Sequence, residues 1–264
     1  MKKKIIVTGG FGFIGSHTVV DLIQKGFDVV VFDDLSRSGN YIPVGIERIT
    51  GIKVPNTAVD LSERESALKA FDLHRDAAGI IHFAAYKDVA ESVADPVLYF
   101  RNNLGSMLSV LEAIQRYKIP NLIFSSSCTV YGNAEKLPVT EEEPVKPAES
   151  PYGYTKQVCE TMIRNFSVAN KDCNAVLLRY FNPAGAHPSA EIGEYLFSKG
   201  NNLIPMVTQA AIGQRKEIVV HGNDYPTRDG SGLRDFIHVM DVADAHSLAM
   251  MYLIDKKNKS NCEV

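Results

Sequence analysis

The chain has 264 residues, of which 45% are hydrophobic and 22% charged, with a net charge of −3. That length suits one large domain or one and a half, with enough apolar material for a sizeable core. The balance excludes the strongly basic footprint of a nucleic-acid binder, and no stretch is apolar enough to span a bilayer.

Met1-Lys2-Lys3-Lys4 leads into only Ile5-Ile6-Val7 before Thr8-Gly9-Gly10. That apolar run is too short for a signal peptide. Lys4–Thr8 reads as the first strand, and Phe13 to about Lys25 as a helix ended by Gly26. Asp28 to Asp33 is a continuous apolar strand closing on an acid, as expected where both sheet faces are covered. Ile52–Val54 is predicted as the next strand and Glu63–Arg75 as a helix. Ile80–Phe83, Leu122–Ser125 and Ala175–Leu178 read as further strands, with helices over Val97–Tyr117 and Tyr152–Ala169. Short β-branched runs alternating with amphipathic stretches predict an α/β fold, a Rossmann-type doubly wound parallel sheet. From Asn182 onward the pattern loosens. A helix around Leu203–Gly213, a strand at Glu217–His221 and a helix at Val239–Leu253 are predicted there. The boundary therefore falls between a cofactor domain, residues 1–181, and a smaller, incomplete substrate-binding lobe, residues 182–264.

The four cysteines (Cys128, Cys159, Cys173, Cys262) show no C-x-x-C pair. They read as free thiols of a reducing cytoplasm, where the protein is expected to reside. The seven histidines form no H-x-x-x-H pair, and no metal is expected.

Residues 7–16, V-T-G-G-F-G-F-I-G-S, hold two overlapping fingerprints. Gly10, Gly12 and Gly15 spell G-x-G-x-x-G, whereas Gly9, Gly12 and Gly15 spell a wider G-x-x-G-x-x-G; the stretch alone leaves both open. Either way a glycine turn between strand and helix lets backbone approach a pyrophosphate at a helix N-terminus. Phe13 and Ile14, inside the turn, join this cofactor-binding set. Asp33, ending the second strand, can accept hydrogen bonds from ribose hydroxyls and repels a 2′-phosphate, which favours NAD over NADP. Asp34 is an even choice between that role and a solvated turn, and Arg37 reads as a surface arginine. Beyond later strand ends, Asp60 and Leu61 can meet the adenine, and Phe83, Ala84, Ala85 and Lys87 offer backbone against which a cofactor can lie.

Tyr152 and Lys156 stand four residues apart on a predicted helix, so they share a face. A neighbouring cation favours phenolate and is expected to lower the tyrosine pKa toward neutrality, making Tyr152 a usable acid/base. Tyr154 has no such partner. Ser127, in the run Phe124-Ser125-Ser126-Ser127, can hydrogen-bond the oxygen whose proton the tyrosine moves. A chance Y-x-x-x-K on a solvated helix is common, but glycine turn, acid, serine and Tyr/Lys together argue against coincidence.

With these residues in place the chain resembles an extended short-chain dehydrogenase/reductase, whose pattern is the wider Gly9/Gly12/Gly15 spacing. The runs FSSSCTVYG, SPYGYTK, LLRYFNPAGAHPS, NNLIP and HGNDYPTRDGSGLRDFIHVMDVADAH resemble the UDP-glucose 4-epimerase family over essentially the whole chain. The resemblance implies NAD-dependent epimerisation of a UDP-hexose at C4 through a transient 4-keto intermediate. It makes Tyr152 the acid/base, Lys156 its tuner and a holder of the nicotinamide ribose, and Ser127 the partner of the reacting oxygen. Asn102 and Phe181 match cofactor-lining positions. Asn182, Asn202, Leu203, Val219, Val220, His221 and Arg234 match positions that hold the nucleotide diphosphate, Arg234 having a fork suited to pyrophosphate. A homodimer acting on a UDP-sugar, without nucleic acid or membrane, is expected. The alternatives are a nucleotide-sugar oxidoreductase or dehydratase, and an inactive NAD-binding fragment. Related dehydratases carry an Asp-Glu pair where Cys128 and Thr129 stand here, which disfavours elimination of water. Family members continue beyond the position matching Val264, so poor stability or activity is expected of residues 1–264 alone.

Overall fold

A computed structural model of the chain describes residues 2–194, 202–220 and 222–264. The first half lays down β1 (Lys4–Thr8), α1 (Phe13–Gln24), β2 (Asp28–Phe32), α2 (Tyr41–Thr50), β3 (Asn56–Thr57), α3 (Arg64–Asp72) and β4 (Gly79–His82). Then come α4 (Val89–Ala94), α5 (Pro96–Tyr99), a π-helical turn (Phe100–Leu104), α6 (Gly105–Tyr117), β5 (Asn121–Ser125) and a 3₁₀ turn (Cys128–Tyr131). The remainder is α7 (Pro151–Ala169), β6 (Asn174–Leu178), β7 (Asn182–Ala184), α8 (Leu203–Ala211), β8 (Phe236–His238), α9 (Val239–Ile254) and β9 (Cys262–Glu263).

The main sheet is parallel throughout, in the order β3-β2-β1-β4-β5-β6-β9. Its strands are apolar on both faces because each face carries helices. Ile6, Val30, Phe32, Ile80 and Leu122 point into the layer that holds Phe71, Val110 and Ile163. Their sequence neighbours Ile5, Val7, Val29, Val31 and Ile81 point the other way, into the layer with Val19, Leu22, Met250 and Leu253. The chain works outward from β1 to β3, then returns to place β4 on the other side of β1. At that reversal a crevice opens beyond the strands' carboxyl ends.

Several expectations need correction. The third strand is Asn56–Thr57 rather than Ile52–Val54: Val31 N–H first finds a carbonyl at Pro55 (2.9 Å), and Ile52 is exposed. The expected single helix over Val97–Tyr117 is two helices joined by the π turn, and it begins at Pro96, whose N-terminal turn Asp95 caps by accepting from Leu98 N–H at 3.0 Å. Residues 217–220 form no strand. Val219 and Val220 are exposed and find no partner strand there, while His221 lies outside the described residues. A pairing absent from the sequence reading joins β7 to β8 in a separate two-stranded sheet. Two elements beyond residue 182 attach to the main sheet unit: α9 packs against α1 and β5, and β9 pairs with β6.

Candidate active site

The turn after β1 requires glycine for separate reasons at separate positions. Gly9 has φ +65°, and a Cβ there would lie 2.7 Å from Ala84 N. At Gly15 a Cβ would stand 2.2 Å from the Gly9 carbonyl oxygen. Gly10 instead packs on Val31, whose Cγ2 would be 2.8 Å from an added Cβ. Gly9, Gly12 and Gly15 line the crevice and Gly10 does not, so the wider spacing forms the cradle and the narrower one is a packing coincidence. Gly12 gives α1 no side-chain cap. The first turn, with Phe13 and Ile14 on the crevice wall, therefore presents amide donors and the positive end of the helix dipole. A cradle that any side chain would fill, next to an uncapped helix start, fits a dinucleotide pyrophosphate.

Asp33 closes the adjoining end. Its buried carboxylate accepts from Phe11 N–H and Leu35 N–H, each at 2.9 Å, pinning the glycine turn to the end of β2. Burial raises its pKa and those two backbone donors oppose the rise. Asp34 accepts from Ser36 N–H (3.0 Å) and Ser36 Oγ (2.7 Å), so it builds the loop while facing the crevice. Arg37 is not the bland surface arginine expected. It grips Glu91 at 2.6 and 2.9 Å, stacks 3.6 Å over the Tyr86 ring and also lines the crevice. Asp60, Leu61, Phe83, Ala84, Ala85 and Lys87 all line it, with Lys87 paired to Glu194 at 3.1 Å. Asn102 reaches it from the π turn, a local register change of the kind found at functional sites. Its neighbour Asn103 is buried and holds Tyr86 O at 3.0 Å and Thr155 Oγ1 at 3.1 Å. The crevice encloses about 270 Å³.

At its far end stand the chemistry-bearing side chains. Ser150 caps α7 by accepting from Gly153 N–H at 3.1 Å, and Pro151 begins the helix. Tyr152 and Lys156 then project from one face into the crevice, whereas Tyr154 is exposed. Ser127 caps the 3₁₀ turn, accepting from Thr129 N–H at 3.2 Å. Burial pushes the Tyr152 phenol up to about 12, with the Ser127 hydroxyl opposing the shift. Burial likewise brings Lys156 down to about 8. The expected depression of Tyr152 toward neutrality is therefore not what this geometry gives. The Lys156 ammonium donates to the Ser125 carbonyl at 2.7 Å and lies 5.9 Å from the Tyr152 ring centroid, so desolvation dominates.

Ser125 and Tyr180 are among the crevice residues that escaped the sequence reading. Ser125 belongs to the serine run, and Tyr180 bonds its hydroxyl; the R-Y-F run around Tyr180 carried no spacing that marks a site. His82, at the end of β4, is fully enclosed and held neutral by burial, with a pKa of about 3; its Nδ1 lies 2.7 Å from Thr8 Oγ1.

The nucleotide-holding set is brought together only in part. Asn202 lines the crevice and bonds Glu194. Asn182 donates through N–H (3.1 Å) and Nδ2 (2.9 Å) to the Asp235 carbonyl, so it and Phe181 stand at the β7–β8 pairing rather than on the crevice wall. Leu203, Val219 and Val220 are exposed and also off the wall. Arg234 is exposed too, its Nη1 donating to the Leu233 carbonyl at 2.7 Å. Arg234 and Asp235 both act electrostatically on the thiol of Cys128, the residue after Ser127.

All four cysteines are free thiols. Among the described residues, no helix is long and apolar enough to cross a membrane, and no cluster of His, Cys, Asp or Glu is arranged to hold a metal ion.

Comparison with known proteins places the crevice in context. The NAD dependent epimerase/dehydratase family matches residues 5–261. The UDP-glucose 4-epimerase of Bacillus subtilis is 45% identical over 93% of this chain and 72% of its own length. The crystal structure of a UDP-glucose 4-epimerase from Stenotrophomonas maltophila, with bound NAD and formylated UDP-arabinopyranose, superposes with a TM-score of 0.93. It is 41% identical, over 99% of this chain and 77% of that one. That of Bifidobacterium longum, in complex with NAD+ and UDP, gives 0.92 at 40% identity, over 99% of this chain and 78% of that one.

Proposed function

The chain belongs to the NAD dependent epimerase/dehydratase family, and from that premise we infer that it inverts C4 of a UDP-hexose, interconverting UDP-glucose and UDP-galactose. One observation carries the assignment: Tyr152 and Lys156 open into the same crevice as the Gly9/Gly12/Gly15 cradle, with Ser127 adjoining Tyr152. Residues 1–181, with α9 and β9 packed onto the same sheet unit, supply the cofactor side of the site, and residues 182–238 its substrate side.

Gly9, Gly12 and Gly15 with the start of α1 would hold the NAD pyrophosphate, Asp33 the adenosine ribose, and Asn102 and Lys156 the nicotinamide end. When bound, NAD supplies the hydride acceptor and donor at the sugar carbon, so the reaction has no net redox change. Tyr152 removes the proton of the 4-hydroxyl, and Ser127 hydrogen-bonds the same oxygen. A 4-keto sugar forms, turns over, and receives the proton back from Tyr152. Burial keeps Tyr152 a phenol between turnovers, and the Lys156 ammonium, 5.9 Å from its ring centroid, would favour the phenolate as the proton moves. At neutral pH Lys156 is charged, because its pKa of about 8 lies above that pH. Arg234 would clamp the UDP pyrophosphate with its planar fork. Dehydration is disfavoured: burial raises the pKa of the Cys128 thiol, so it is both a weaker acid and less available as the thiolate base.

The protein is further read as a cytoplasmic homodimer. Unpaired thiols fit a reducing compartment, and the apolar side chains exposed on α5 and α6 (Val97, Leu108) fit self-association. Sedimentation that shows a monomer at micromolar concentration rejects the dimer.

The deciding assay incubates the chain, saturated with NAD, with UDP-galactose and identifies the product. UDP-glucose with unchanged total NAD is expected. A 4-keto-6-deoxy product replaces the reading with dehydration, and NADH accumulating in step with an oxidised sugar replaces it with a dehydrogenase.

A further inference from the structure

Behind the crevice wall lies a buried polar group that the mechanism above does not use. Tyr152, Lys156 and Glu160 form one stripe along α7, spaced four residues apart. Glu160 is 4% exposed, yet both oxygens of its carboxylate have partners. Its Oε1 accepts from Ser126 Oγ at 2.6 Å and from Arg179 Nε at 2.9 Å, and its Oε2 accepts from Arg179 Nη2 at 2.6 Å. Arg164 approaches from the outer side at 3.8 Å. The Arg179 guanidinium also lies 4.8 Å from the ring centroid of Tyr131, the last residue of the 3₁₀ turn that Ser127 caps. The segment 126–131 is thus gripped at both ends by one ion pair. The carboxylate holds Ser126, the guanidinium lies over Tyr131, and Ser127 is fixed between them.

Burying such a pair is a poor route to stability, since desolvation offsets most of the attraction. What a bidentate fork provides is direction, because a planar guanidinium and a carboxylate meet in one orientation. Here that orientation links the helix carrying Tyr152 and Lys156 to the strand end carrying Ser127. We propose that Glu160, oriented by Arg179, is a positioning residue that acts through Ser126 to set the reach of Ser127 toward Tyr152. The kinetic side of this inference rests on the epimerase reading above; the geometric side does not.

Removing Glu160 leaves a buried, unpaired arginine and can prevent folding, so the principal variant is Ser126→Ala, which removes only the hydroxyl gripped by the carboxylate. Measured on the full chain loaded with NAD, it should lower kcat about tenfold, less than the roughly hundredfold that a 1 Å misplacement can cost, with unchanged KM and NAD content. In a Ser127→Ala background the same change should cost less than about twofold, because the group it positions is gone. Glu160→Gln should follow the same pattern with a larger loss. Wild-type kcat in Ser126→Ala, or losses that multiply with Ser127→Ala, overturns the proposal. A crystal structure of Ser126→Ala decides the geometry without reference to activity: a displaced Ser127 Oγ supports the proposal, and one that stays in place sinks it. A wild-type chain that binds NAD but fails to interconvert the UDP-hexoses rejects the epimerase reading alone.

Discussion

Gly9 and Asp33 follow directly on the carboxyl ends of hydrogen-bonded parallel strands, Ser127 stands two residues beyond another, and Lys156 stands on a helix packed behind them. Leu203, Val219, Val220 and Arg234 instead lie on α8 and on irregular backbone, with exposed side chains. The first group is fixed by the ladder and by two apolar layers, and most of its polar atoms already have protein partners. In the second group, Arg234 makes its short contact to its own neighbour's carbonyl. A pre-set cofactor side does not have to be ordered when a ligand arrives, whereas side chains that start solvated contribute binding energy only after they are immobilised. Substitutions on the two sides should therefore separate into effects on turnover and effects on substrate affinity.

The largest effect belongs to Tyr152→Phe. Removing the phenol oxygen removes the acid/base and leaves the ring, so kcat should fall by roughly 10²–10⁴-fold, the usual worth of positioned proton transfer. Bound NAD, measured after denaturing the protein, should be unchanged. Loss of NAD along with activity would mean that the tyrosine serves cofactor binding and that the sheet end is less pre-set than the geometry indicates.

On the other side, Arg234→Ala should raise KM for UDP-galactose by roughly 10- to 100-fold, the worth of a charge-assisted hydrogen-bonded contact. Its kcat and NAD content should stay near wild type, since Arg234 lies off the crevice wall that holds the glycine cradle, Tyr152 and Lys156. Steady-state kinetics at saturating NAD separate the two parameters. An Arg234→Ala variant with unchanged KM and lowered kcat would erase the distinction between the two sides.

The same contrast governs what the sequence could reveal. Strand ends were legible because a parallel strand buried on both faces reads as an apolar run, and whatever polar residue follows it emerges at the crevice. Asp33, Ser127 and the Ala84-Ala85 pair are of this kind. The break in the helix before Gly105 was not legible: no proline or glycine stands within Phe100–Leu104, and the π turn is settled by the tertiary contacts of Asn103 with Tyr86 and Thr155. Arg37 looked like a loop arginine because its partner, Glu91, is far away in sequence. The tyrosine pKa was misjudged for a related reason. Spacing places Lys156 on the face of Tyr152, but only the fold shows its ammonium turned to the Ser125 carbonyl. Between residues 217 and 220 the β-branched pair Val219-Val220 satisfies strand propensity with no strand beside it among the described residues, a case where pairing overrides propensity.

The smallest effect tests how far the sheet side depends on buried neutral groups. Burial depresses His17 and His246 to about 4 and His82 to about 3. The first sits on α1, the second on α9 packed against it, and the third at the end of β4. Both His17 Nε2 and His246 Nε2 are enclosed without a hydrogen-bond partner, so a second proton there would leave a buried N–H and a positive charge with no acceptor. The sign follows from linkage. Between the folded values and the unfolded value near 6.5 the unfolded chain binds more protons, so stability is complete above about pH 6.5 and falls as the pH drops toward 4. Each histidine should withdraw about 1 kcal/mol at pH 5.5. The chain has no tryptophan, so urea unfolding is followed by circular dichroism at pH 7.5 and 5.5. His246→Phe should reduce the pH-dependent loss by about 1 kcal/mol, its ring taking the space between Phe83 and Tyr180, whose centroids lie 4.6 and 5.8 Å from the imidazole. A variant that keeps the full loss would show that α9 detaches from the sheet unit before His246 is protonated. It would then behave with the loop-borne residues 182–238 and not with the strands it packs against.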